Sequence, residues 1–148
     1  MRRLLASFAR DRRGASAVEF ALLVLPFFLL LFALIDIGWL LWTRQAAQQA
    51  AVSGARCMGI PMADCSTGSG TYDATKSRTY IAGQAARWGV AITSANITVS
   101  HSATCGGQAG FSKVDIAFDR AGLIPGVMTA LNGGVTVTAT ACFPNQAS

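Results

Sequence analysis

Residues 12–56 read RRGASAVEFALLVLPFFLLLFALIDIGWLLWTRQAAQQAAVSGAR. The apolar run is uninterrupted over residues 20–35, and after Asp36, Ile37 and Gly38 comes the aromatic group Trp39-Leu40-Leu41-Trp42. A secretory signal has an apolar core of roughly 7–15 residues followed by a small-residue cleavage site. This run is at or past that limit, and it ends on residues suited to a membrane–water interface. The 23 residues 20–42 make about 35 Å of helix, enough to cross a hydrocarbon layer of about 30 Å with modest tilt. The stretch therefore reads as a retained membrane-spanning helix. Beyond it, TRQAAQQAAVSGAR (residues 43–56) holds strong helix formers and no proline, so the helix is predicted to continue outside the bilayer. Ser53 and Gly54 should weaken its last turn, and Cys57-Met58-Gly59-Ile60-Pro61 should end it. Its small side chains predict close packing, against a sheet or against another stem of the same kind.

The whole chain has 148 residues, 52% hydrophobic and only 13% charged, with fifteen glycines. That charge fraction is about half of what soluble domains carry, and the apolar excess excludes intrinsic disorder. Too little Glu and Lys is present for a coiled coil. Charge is unevenly placed. Residues 1–14 hold Arg2, Arg3, Arg10, Arg12 and Arg13 against Asp11, whereas Arg44 stands nearly alone after the span. Because short Arg-rich flanks stay cytoplasmic, the N-terminus is expected inside and everything beyond residue 44 outside. The net charge of +5 also raises nucleic acid as a partner. Basic residues beyond the span are scattered, with only isolated aromatic residues among them, and no nucleic-acid partner is expected.

At the inner boundary, Arg12-Arg13-Gly14-Ala15-Ser16-Ala17-Val18-Glu19-Phe20 joins a basic leader to the apolar helix through one glycine, with a carboxylate five positions later. Gly14 reads either as a flexible joint or as an accessible, extended backbone site. Glu19 sits either among headgroups or with a partner, as acids in apolar spans usually do. Residues 12–56 resemble the N-terminal region of TadE-like pseudopilins, minor pilin-like proteins of tight-adherence (Flp-type) pilus systems. The matching features are the basic leader, Gly14, the Glu19-Phe20 pair, the helix interrupted by Pro26 and the Ala/Gln/Arg-rich continuation. The Thr/Ala-rich segment 134–141 is also similar to the family's C-terminal strand.

The resemblance implies that a prepilin peptidase cuts after Gly14, so that the mature chain begins at Ala15 with Glu19 as its fifth residue. Such a cut would remove the +4 leader and create an ammonium at Ala15 that could pair with Glu19 of the same or a neighbouring subunit, setting register between packed helices. Type IV major pilins usually carry a methylatable aromatic residue or Met after the glycine. Ala15 at that place, together with a sizeable head, points to a minor subunit. The partners implied are the prepilin peptidase, other pilins and pseudopilins, the inner-membrane assembly platform and the lipid bilayer. The implied location is the bacterial inner membrane with a periplasmic head, or incorporation into an extracellular pilus. Pro26 frees one backbone carbonyl and either kinks the helix or is simply tolerated, as proline often is in membrane helices. Asp36 either reaches the interface or pairs with Arg44 or a basic group of another subunit.

Residues 57–148 read as an exported head. Ala74, Ile81, Ala85 and Trp88 fall on one face of a helix starting near Asp73. Residues 96–100, 112–118 and 135–141 alternate with period two, so that Val114, Ile116 and Phe118 face one way and Lys113, Asp115 and Ala117 the other. Gly106-Gly107 and Ala109-Gly110 mark the first turn, and Asn132-Gly133-Gly134 enters the last strand. The expected fold is α+β: a long N-terminal helix, then an antiparallel sheet of three or four strands packed on helix. Cys57, Cys65, Cys105 and Cys142 all lie on the exported side and read as two disulfides with three possible pairings. Favoured is Cys57–Cys65, closing the loop after the long helix. Cys105–Cys142 would then tie the end of the first strand to the end of the last.

Catalysis finds little support. No cysteine pair has CxxC spacing and His101 is the single histidine, so no metal and no cofactor are expected. His101 stands four residues before Cys105, a spacing that also fits a surface histidine beside a disulfide. Asp115 and Asp119 share a strand face, but Asp119 adjoins Arg120 and is expected to neutralise it. Gly106-Gly107 lacks the Lys and the helix start of a phosphate loop. Two classes remain: a structural component of pilus assembly, or an uncleaved single-pass anchor carrying a periplasmic binding module.

Overall fold

In the structure, a computed structural model, residues 15–67, 70–120 and 135–146 are described. The basic leader through Gly14 and the Asn132-Gly133-Gly134 entry to the last strand lie outside these residues. Helix α1 covers Ala15–Gly59, α2 covers Ala74–Arg87, and a short 3-10 turn at Ser94–Asn96 leads into the strands. These are β1 (Ile97–Cys105), β2 (Gln108–Arg120) and β3 (Val135–Pro144), in spatial order β1-β2-β3 and antiparallel throughout. The chain divides into two compact units with the boundary after Gly38, inside α1.

In the second unit, the outer part of α1 forms one wall of the head's core. Ala46, Ala47, Ala50, Ala51 and Ala55 are 0–2% exposed, clustered with Ile81 and Ala85 of α2 and with Ile97, Val114, Ile116, Val137, Ala139 and Ala141 of the sheet. The close packing expected of this alanine-rich segment is thus satisfied by the chain's own head. Alanines allow helix and sheet to approach, and the larger side chains opposite supply the buried area, at about 1.5–3 kcal/mol for each fully buried Ile or Val.

Gly54 has a packing role. A Cβ there would lie 2.7 Å from Ile81 Cδ1 and 3.5 Å from Val114 Cγ2. Rather than weakening a last turn, this glycine lets α1 touch α2 and β2. The helix runs three residues beyond Arg56 because Cys57 and Met58 are themselves buried in the core. It stops at Gly59, whose carbonyl accepts from the Gln146 N–H at 2.9 Å, satisfying one of the terminal carbonyls a helix leaves open.

Asp73 caps α2 as its sequence suggests, its carboxylate accepting from the N–H groups of Thr75 (2.8 Å) and Lys76 (3.1 Å). Ser77, Ile81 and Ala85 are buried, but Trp88, expected on the same face, is exposed. The reason is the helix end. Gly89 adopts φ +75°, the Gly89 N–H reaches the Ala86 carbonyl, and the Val90 N–H reaches the Ala85 carbonyl. This closure turns Val90 back into the core and leaves Trp88 outside.

The sheet extends further than its alternating segments. Gly106 (φ +60°) and Gly107 (φ +84°) form the two-residue turn joining β1 to β2, a conformation that twists in the same sense as the strands. Register shifts between Ser100 and Ala103 and again between Ala103 and Cys105 bend the end of β1. Neighbouring strands lie about 4.8 Å apart. β1 and β3 flank β2, yet the Cα atoms of Cys105 and Cys142 are only 6.5 Å apart, and the two residues form a disulfide across the outer face. Cys57 bonds to Cys65, tying the end of α1 to the loop that follows.

Candidate processing and assembly site

In the first unit, α1 begins at Ala15 and passes through Pro26 without a break. Its side chains face outward: Phe20, Leu22, Leu23 and Leu25 are 68–71% exposed. A surface of this size and apolarity is not stable in water, and with its length it makes α1 a membrane-spanning helix. Pro26 carries no N–H for the Leu22 carbonyl, and that group must find another donor. Phe20, Leu23, Val24, Phe27 and Phe28 border a shallow, wholly apolar groove. The Phe28 and Phe32 rings stack at 6.0 Å, and Phe27 meets Phe28 edge to face at 5.6 Å.

Glu19 lies exposed beside this groove, and Leu23 and Pro26 follow it at i+4 and i+7 on the same stripe of helix. Among the described residues no side chain pairs with Glu19. The helix therefore presents a carboxylate and an apolar groove on neighbouring surface near its start at Ala15. Gly14 lies outside the described residues. Asp36 is buried, not exposed.

In the head, the groups weighed for catalysis are all engaged. Every cysteine is in a disulfide. Asp115 holds Lys113 at 2.9 Å and accepts from the Thr140 hydroxyl across the strand pair at 2.7 Å. Asp119 accepts in the same way from Thr136, at 2.7 Å. Both are cross-strand rungs on the solvent face, the Lys113–Asp115 pair being worth about 0–1 kcal/mol. Among the described residues, no group of three His, Cys, Asp or Glu could hold a metal ion.

A polar cluster not evident from the sequence joins the bent end of β1 to the C-terminal segment. The Ser112 hydroxyl, fully buried, donates to Asn145 Oδ1 at 2.6 Å, so its oxygen accepts from His101 Nδ1–H at 3.0 Å. Asn145 Nδ2 returns a bond to the His101 carbonyl. The His101 ring stacks on Tyr72, 5.0 Å between centroids and 9° from parallel. The Tyr72 hydroxyl is buried with no hydrogen-bond partner. Burial pushes this phenol above its ordinary value of 10.0, against the lowering pull of Arg78. The cluster fastens the tail, and its serine is too buried to act as a nucleophile. One signal for it exists in the sequence: Ser112 occupies the same strand face as Val114 and Ile116, where a polar group needs a partner.

These features define a membrane protein with one spanning helix among the described residues and a small disulfide-bonded α+β head. Residues 14–56 match the family described as TadE-like protein, a match that starts at Gly14 and ends two residues beyond the close contact at Gly54. No curated protein and no solved structure matches the chain.

Proposed function

We propose that this chain is a minor TadE-like pseudopilin, a structural and assembly component of a tight-adherence (Flp-type) pilus system, trimmed by a prepilin peptidase between Gly14 and Ala15. The observation that carries the reading is the family match over residues 14–56, together with an exposed Glu19 beside an apolar groove on a membrane-spanning helix. Residues 1–14 are then a basic leader, 15–56 the stem and 57–148 the exported head. Before cleavage, the leader's arginines hold the N-terminus in the cytoplasm. After cleavage, the Ala15 ammonium and the Glu19 carboxylate of a neighbouring stem neutralise each other in a low-dielectric setting, where an unpaired acid is costly. The pair selects one axial register among helices that are otherwise greasy and slippery. Its partners are other pilins and the inner-membrane assembly platform, and its head lies in the periplasm. No catalytic role follows from this arrangement.

The test is intact mass and N-terminal sequence of the membrane-extracted protein from cells with and without prepilin peptidase. A mature chain starting at Ala15 only when the peptidase is present is the expected result. Residues 1–14 retained in both would overturn the reading and leave an uncleaved anchor with a periplasmic binding head. Glu19→Gln should keep membrane insertion and head stability while lowering co-purification of other pilins.

A further inference from the structure

The exposed aromatic surface of the second unit gathers where α1 leaves its apolar run. Trp39 and Trp42 on α1 and Trp88 at the end of α2 are 55, 50 and 47% exposed. Trp42 Nε1–H donates to the Trp88 carbonyl at 3.1 Å, and the two indoles meet edge to face with centroids 5.7 Å apart. Trp42 lies 22 residues after Phe20, about 33 Å along a helix, which is one hydrocarbon thickness. Trp42 thus closes the length that a span starting at Phe20 requires, and Trp88 is joined to it within the second unit. Arg44 and Arg87, both exposed, stand two residues after Trp42 and one residue before Trp88 in the sequence. Trp88 is not required by the core, since Ile81 and Ala85 fill the buried face of α2 and Val90 follows them inward.

We infer that Trp88, with Trp42 and the flanking Arg44 and Arg87, docks the head onto the phospholipid headgroup region of the leaflet from which α1 emerges. The occupant is lipid because this patch is continuous with the membrane-spanning helix, and because its composition, indoles beside guanidinium groups, suits that layer. The indoles settle at the boundary of the hydrocarbon and the guanidiniums reach phosphates. The docking fixes the head against the bilayer. It rests on α1 spanning the membrane and is independent of processing after Gly14.

The experiment uses the full chain in nanodiscs of phosphatidylcholine and phosphatidylglycerol, with and without bromine on the acyl chains near the headgroups. One variant keeps Trp88 alone (Trp39→Phe, Trp42→Phe) and one keeps Trp39 alone (Trp42→Phe, Trp88→Phe). Brominated lipid should quench both, with about a twofold loss of Trp88 emission. Trp39 quenched with Trp88 unquenched would overturn the docking and leave the span intact, whether Trp88 then emits as in water or is shielded by a second copy. Neither quenched would overturn the span as well. Because Trp42→Phe removes the donor to Trp88, the Trp88 signal is also taken as the difference between the Trp39→Phe chain and its Trp39→Phe, Trp88→Phe counterpart. No quenchable Trp88 component there would likewise overturn the docking.

Discussion

The two parts of α1 are one continuous helix with opposite surfaces. Before Gly38 it presents Phe and Leu to its surroundings, and after Trp42 it presents alanines that are almost completely buried. Large apolar groups face outward where the surrounding medium is itself apolar, and small ones face inward where a sheet and a second helix must come close. Burial in this molecule therefore tracks the partner of each helix segment and not the hydrophobicity of its residues. The first segment awaits lipid or other subunits, whereas the second already has its partner in the same chain.

Several measurements would break or sharpen that contrast. The largest effect is expected from the disulfides, which act only on the head. Replacing Cys105 and Cys142 by alanine should lower head stability by about 4 kcal/mol, against about 2.5 kcal/mol for Cys57 and Cys65, because the closed loops span 37 and 8 residues. Denaturant unfolding in detergent checks the order, and equal losses would contradict the loop-length account. Next, Gly54→Ala should cost about 1–3 kcal/mol by forcing the buried Ile81 aside. An unchanged melting temperature would show that α1 and α2 do not meet as closely as described.

A smaller effect is expected at Tyr72. Removing its unsatisfied buried hydroxyl in Tyr72→Phe should stabilise the head by about 1 kcal/mol. The pH dependence has a definite sign. With its folded value raised above 10.0, the phenol keeps its proton longer in the folded head than in the unfolded chain, so stability is fully present below pH 10.0 and falls as pH rises through the folded value. Tyr72→Phe should flatten that fall in a melting series above pH 10. The smallest effect is expected on the other segment of α1. Nothing lies within 4 Å of a Cβ at Gly38, so Gly38→Ala should bring no packing loss and at most about 1 kcal/mol of added helix stability. A destabilised Gly38→Ala protein would mean that this part of the helix is also closely packed.

The legibility of the sequence varied with how local the cause was. Period-two alternation in residues 112–118 and 135–141 marked strand faces correctly, because each residue's side follows from its own backbone. The end of β1, Ser100-His101-Ser102-Ala103-Thr104, carries no alternation, and its pairing comes from bulges and from the Gly106-Gly107 turn. Trp88 fitted the helical period of α2 but stands one residue past the helix, where Gly89 redirects the chain. The Asp119 carboxylate accepts from Thr136, its direct partner across the ladder, a contact that its place beside Arg120 in the sequence does not reveal.

For the candidate site, Gly14, Glu19 and Pro26 could be singled out because basic leader, glycine, acid and proline fall close together in the sequence, at the start of the apolar run. The cluster of Tyr72, His101, Ser112 and Asn145 could not, since its members are separated by up to 73 residues and meet only through folding.

Length, hydropathy and arginine placement alone settle that the chain has one membrane-spanning helix and a mixed head, because crossing a bilayer demands a local, continuous run of apolar residues. Period and caps likewise settle that the head combines a helix with antiparallel strands. Tertiary structure alone decides that α1 continues into the head's core, that Gly54 is a contact point, and that Trp88 meets Trp42. These depend on which surfaces come within a few ångströms of each other, and no local window of sequence contains that information.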